Sequence, residues 1–289
     1  MIEEQWLRAL DDKLTEQDVP LHARPLLAAI EWMRANAVTG DILCAKVHEP
    51  LMQTYRRLHP KGDFSIPPLF EAGIAIRDRF YPVHIRIVYG RVQITPIDSI
   101  VIDRSELEQA FARYTTDAWK AFYGVCDLWD FAYSVDDLVR LGSAGGELLM
   151  QARSQIAATA RILAGRTDLD ASIQSSCLAA ELSMKGVLRH LGSSERELKR
   201  FGHNLRDLAE GLCSSKPGPS DDRLRQTLSG FPDYVASRYQ PQGLSRLRLM
   251  ELAMRAQFVV ADATRRASDR NFGALAEADK WNMPRPTFD

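Results

Sequence analysis

From Leu149 onward the apolar residues recur at helical spacing, and this periodicity limits the fold more than any other feature. Leu149, Ala152, Ile156, Ala160 and Leu163 are spaced 3-4-4-3, which puts them on one helix face. Ile173, Cys177, Ala180, Met184, Val187 and Leu191 form a second stripe, with Asp168 or Asp170 as its cap and Gly192-Ser193-Ser194 as its end. His203 to Cys213 predicts a shorter helix, and residues 214–220 a loop. Leu244, Leu247, Met254, Phe258 and Ala261 line a last helix of about 25 residues. Four helices with short connections predict an up-and-down bundle.

The first half has a different texture. Residues 3–14 and 23–37 read as helices, with Pro25 near the start of the second and Gly40 closing it. Pro50 can open a third over 50–58, and the proline-rich stretch 59–68 reads as loop. Over 83–94 the polar residues His84, Arg86 and Gln93 interrupt an apolar run, with Gly90 between its halves, which predicts a β-hairpin. Residues 97–102 would add a third strand. Ser105 then caps another helix. Eight aromatic rings follow between Phe111 and Tyr133, a set that suits a core, a domain interface or a partner-binding surface. Gly142-Ser143-Ala144-Gly145-Gly146 marks the expected boundary between an α+β domain, 1–141, and a helical domain, 145–268. Residues 269–289 read as a tail, unstructured or draped on the surface.

Net charge is −1, so no overall field recruits nucleic acid. The charge is split, however. Residues 1–144 carry 16 Lys+Arg against 21 Asp+Glu, and residues 145–289 carry 21 against 17. The helical half can therefore meet an anion. The four cysteines, Cys44, Cys126, Cys177 and Cys213, form no CxxC pair, and Cys44 with His48 lacks a second pair to complete a zinc site. No metal and no cofactor is expected. With no signal-peptide core and no apolar run of membrane length, a cytoplasmic protein is expected. No Walker A, HExxH, GxSxG or Rossmann glycine pattern is present.

Two stretches carry possible chemistry. Glu181 and Lys185 lie four apart with the acid first, the order that favours an ion pair along a helix. The densest basic run spans Arg189, His190, Arg196, Lys199, Arg200, His203 and Arg206, and it includes the start of the third helix of the bundle, where unpaired N–H groups attract anions. The acids Glu195, Glu197 and Asp207 dilute it. Asp221-Asp222 reads as a helix cap.

The order of these parts resembles a HEPN domain, over about residues 145–268. The parts are Ala180-Glu181-Leu182-Ser183-Met184-Lys185, then His203-Asn204-Leu205-Arg206-Asp207-Leu208, then Arg238-Tyr239 before a long helix. In the nucleotidyltransferase-associated branch a proline follows the Arg-Tyr, whereas here Gln240 precedes Pro241. The resemblance implies an all-α HEPN-like bundle of four to five helices, of a prokaryotic defence or toxin–antitoxin kind. It implies a homodimer that binds nucleotide or RNA phosphate, or a partner protein. It makes Glu181 and Lys185 a mainly structural pair. Lys185, Arg189, Lys199, Arg200, His203 and Arg238 are the phosphate candidates. Many HEPN domains are metal-independent ribonucleases with an Arg, four to six residues, then a His. Here Arg196 and His203 fit that spacing in the right domain but bridge an expected loop, and His84 with Arg77 or Arg79 fits by chance on the hairpin. No histidine follows residue 203, so the last helix cannot supply the usual one. A binding role without catalysis is the leading expectation, a ribonuclease using Arg196 and His203 the alternative, and an assembly protein the third reading.

Overall fold

The computed structural model describes residues 3–39, 45–88, 92–165, 167–236 and 242–288. The chain divides into two compact units, residues 1–67 and 68–289.

The first unit holds three helices, α1 (Glu4–Glu16), α2 (Arg24–Ala35) and α3 (Ala45–Leu58). Their apolar faces meet in a small core of Leu7, Ala28, Ala29, Met33, Leu51 and Tyr55. Pro50 does not open α3 but sits inside it. An interior proline costs a helix about 3 kcal/mol. Val47, Leu51 and Tyr55 are spaced four apart and all buried, so the stripe that must be covered begins before the proline and carries the helix through it.

The second unit begins with a two-stranded antiparallel hairpin, β1 (Phe70–Ile76) and β2 (Arg79–Ile85), turning at Arg77 and Asp78. The expected hairpin over 83–94 is therefore misplaced: its first residues end β2, whose partner lies before it. Residues 97–102 form no third strand. Pro96–Ser99 is a 3₁₀ turn, and only Ile100 makes a bridge, to Val83. Pro82 faces Gly73 in the register and has no N–H to give. The Gly73 carbonyl instead accepts from the Gln257 side chain at 2.6 Å, which ties the hairpin to the helices.

The helices of this unit are α4 (Arg104–Arg113), α5 (Thr115–Arg140), α6 (Gly146–Ala164), α7 (Ala171–His190), α8 (Glu195–Phe201), α9 (Leu205–Ser215), α10 (Asp221–Ser229), α11 (Arg246–Arg265) and α12 (Phe272–Ala278). The long ones, α5, α6, α7 and α11, pack against one another, and β1 closes over α5 and α6. Both α5 and α11 are buried over most of their circumference, as central helices must be. The aromatic run belongs to this interior. Tyr123, Trp129 and Phe131 are buried, Trp129 Nε1 donates to Ser99 Oγ at 2.9 Å, and the Tyr123 hydroxyl donates to the Met283 carbonyl at 2.6 Å.

The glycine-rich stretch 142–146 is not the boundary between units. Gly142, at φ +69°, ends α5: its own N–H bonds back to Val139 and that of Ser143 to Leu138, the pattern of a helix closed by a left-handed residue. Gly145 then lies against Gly186 of α7 so closely that a Cβ there would sit 1.9 Å from the Gly186 carbonyl oxygen. These glycines bring three helices together. The supposed tail is also structured. Beyond α11 the chain forms α12 and an extended arm that returns along α5.

Candidate functional site

The i,i+4 pair of α7 is the centre of a buried polar cluster. Lys185 Nζ lies 2.6 Å from Glu181 Oε1 and 2.6 Å from the Gly202 carbonyl. His203 Nδ1 lies 3.0 and 3.1 Å from the two Glu181 oxygens. The Tyr234 hydroxyl donates to Glu181 Oε2 at 2.7 Å. The Glu181 side chain is 4% exposed. Burial pushes its carboxyl upward, but hydrogen bonds from Lys185, His203 and Tyr234 together outweigh that and hold it below the ordinary glutamate range. An ionised Glu181 can only accept, so Nδ1 of His203 carries the hydrogen it donates. Nε2 has no partner among the described residues, and the ring is half-exposed.

The local sequence explains this placement. Gly202 adopts φ +56° after α8, which turns the chain so that its carbonyl faces Lys185. Asn204 caps α9 by accepting from Arg206 and Asp207 N–H, which frees His203 for Glu181. The stretch expected as a flexible loop between Arg196 and His203 instead contains α8, opened by a capping box: Ser194 accepts from the Glu197 N–H, and the Glu197 carboxylate accepts from the Ser194 N–H at 2.7 Å. Ser194-x-x-Glu197 was legible as that motif.

Among the phosphate candidates, Lys185 is committed to Glu181 and Gly202, and Arg189 donates to the Ser193 carbonyl at 3.0 Å at the end of α7. Lys199 pairs with Glu195 at 2.7 Å on the surface. Arg196, Arg200 and Arg206 are exposed, and no ion pair or hydrogen bond holds their guanidinium groups among the described residues. The acids of this stretch are engaged locally: Glu195 by Lys199, Glu197 by Ser194, and Asp207 by Asn204 Nδ2 at 2.7 Å. Arg196 makes no bond to His203. Arg238 and Tyr239 lie outside the described residues, as does Cys44. His84 is exposed on β2, Arg79 is held by Glu106 at 2.5 Å and Arg77 donates to the Tyr114 hydroxyl at 2.7 Å, so neither His84 pairing forms a site.

Tyr234 was missed by sequence reasoning, because it lies 53 residues from Glu181 and no local pattern announces it. A second cluster, in the first unit, was also missed. Asp11, 7% exposed, meets Arg24 at 3.2 Å and His59 Nε2 at 2.9 Å, beside the buried Tyr55 hydroxyl, which has no hydrogen-bond partner among the described residues. Cys126, Cys177 and Cys213 are buried free thiols. Burial pushes the Cys177 thiol up to about 12, which makes it a small core residue without nucleophilic use. Among the described residues no group of three or more His, Cys, Asp or Glu side chains is placed to hold a metal, and no helix is long and apolar enough to cross a membrane. Comparison with known proteins found no matching family model, no matching curated protein and no matching solved structure.

Proposed function

We propose that the chain is a HEPN-like module that binds RNA or nucleotide phosphates without catalysis, as part of a prokaryotic defence or toxin–antitoxin system. The corner formed by α8 and the start of α9 is where we place the contact. The observation that carries this reading is the set of unpaired arginines there. Arg196, Arg200 and Arg206 are exposed while the neighbouring acids are occupied by caps and local pairs. Guanidinium groups left without partners at a surface suit bidentate phosphate contacts. A single-stranded RNA oligomer should bind with an affinity that falls with salt, and replacing all three arginines by alanine should weaken it and flatten the salt dependence by about 0.7 in log–log slope per lost phosphate contact. Unchanged binding in that variant refutes the reading.

One observation favours the ribonuclease alternative. A buried carboxylate orients a half-exposed histidine, with Nε2 left open, which is the arrangement of a general base. Cleavage of RNA in chelator, lost in His203→Ala with the fold intact, would establish it. The non-catalytic reading expects no cleavage.

A further inference from the structure

A cavity of about 1180 Å³ in the second unit lies where the C-terminal ends of α5, α7 and α11 meet the α9–α10 loop and α12. None of Arg196, Arg200, His203 and Arg206 lines it. Its walls carry seven Lys and Arg side chains against four Asp and Glu. Four helix C-termini or their flanks present partial negative charge, which accounts for some of the cations. It does not account for how those cations are held.

The arginines are gripped from behind. Asp137 takes Nε of Arg270 at 2.6 Å, and the guanidinium lies over the Tyr133 ring at 5.2 Å, so that Nη1 and Nη2 keep no partner among the described residues. Glu277 takes Nη1 of Arg223 at 2.8 Å, which leaves Nε and Nη2. Arg266 is fixed by Asp262, Asp221 and the Lys216 carbonyl. The Lys216 ammonium has no partner among the described residues. A guanidinium presents five N–H donors, and a carboxylate engages one or two of them. Orienting carboxylates of this kind fix a ligand-binding edge in place and reduce what is lost on binding. The same cavity takes in Leu141, 80% exposed, and Leu191, 37% exposed, which offer an apolar shelf beside the cations.

We infer that this cavity binds a short polyphosphate chain, through the open donors of Arg223, Arg270 and Lys216. The three cations come from three separate places in the chain, Lys216 after α9, Arg223 in α10 and Arg270 after α11, a set that a chain of two or three phosphates can use more fully than one phosphate can. The cavity volume slightly exceeds the roughly 300–1000 Å³ of small-ligand sites, so it admits a nucleotide and excludes a duplex. The apolar shelf favours a nucleoside polyphosphate over the bare chain. The site is separate from the α8–α9 corner and stands or falls apart from it.

The test is calorimetric titration of the full chain, at low and at moderate salt, with ATP, with inorganic tripolyphosphate and with adenosine. Saturable, salt-sensitive binding of ATP and of tripolyphosphate, and none of adenosine, is expected. ATP binding more tightly than tripolyphosphate identifies the nucleotide as the source, and equal affinities identify the free chain. Lys216→Glu alters an exposed side chain, so it should leave the melting temperature unchanged. Lys216→Glu should weaken binding at least about tenfold, and the variant lacking Arg196, Arg200 and Arg206 should bind as wild type. No saturable binding at ligand concentrations up to about 1 mM overturns the inference. So does binding that is unaffected by Lys216→Glu and lost in the α8–α9 variant.

Discussion

Lys185 shows how one side chain can look like a ligand contact and be a structural one. Its side chain is 16% exposed and its ammonium joins α7 to the chain reversal at Gly202, so removing it strips the buried Glu181 of its closest countercharge. Breaking one side of such a pair costs about 3–5 kcal/mol. Lys185→Ala is therefore expected to lower the denaturation midpoint sharply, and a variant that melts like wild type would return Lys185 to the list of contacts. The same cluster sets a pH dependence. The folded-state value of Glu181 lies below the ordinary 4.5, so the stability it contributes is complete above that pH and is lost as pH falls through the folded value. The difference in stability between wild type and Glu181→Gln should be constant above about pH 5 and shrink below 4.5. Comparing the two proteins cancels Asp137 and Glu277, whose carboxyls are also held low by arginines and titrate in the same window. The Glu181–Lys185 pair was legible because it is local. His203 was singled out in the sequence but its partner was not, since the contact spans 22 residues and depends on the turn at Gly202.

At the scale of elements, legibility followed periodicity. α6 was readable because it buries one stripe and shows a polar back, and α7, though buried on most sides, because its large apolar residues still recur at helical spacing. β1 was not, although Phe70, Ala72, Ile74 and Ile76 are buried in alternation with exposed Glu71 and part-buried Ala75, because Ala72, Gly73 and Ala75 are weak strand formers and blur the pattern. Its small residues had another reason to mislead: a Cβ on Gly73 would lie 2.1 Å from the Phe80 ring, so glycine is what lets β2 close over β1. The glycines at 142–146 misled in the opposite direction, since a composition that suits a linker also suits close helix packing. The two readings part in their response to a methyl group. Gly145→Ala drives a Cβ into the Gly186 carbonyl, a backbone atom that cannot rotate away, and is expected to cost about 1–3 kcal/mol. Gly146→Ala meets nothing nearer than Val139 at 3.6 Å and should be neutral or slightly stabilising. Two neutral melting curves would restore the linker.

At the scale of the molecule, the question is where an autonomous unit begins. The sequence placed the start near residue 145, yet α5 supplies Val125, Leu128, Phe131 and Val135 to the core shared with α6, α7 and α11. It also supplies the carboxylates that neutralise the end of α11: Arg265 reaches Asp127 and Asp130, each at 2.6 Å, with its own side chain 15% exposed. Asp130 further accepts the Phe272 and Gly273 N–H groups at 2.6 and 2.8 Å, and Asp127 meets Arg285 of the arm, whose guanidinium lies between the Tyr123 and Phe258 rings. A fragment of residues 145–268 would expose the apolar flank of α11 and leave Arg265 half-buried without either acid. It is expected to show no cooperative melt, whereas a fragment of residues 68–289 keeps both the apolar cover and the charge balance and should unfold in a single transition. The measurement is far-ultraviolet circular dichroism against temperature on the two fragments, and a cooperative transition in the shorter one would mean that the stripes of α6, α7 and α11 suffice and that α5, for all its burial, is only a lid.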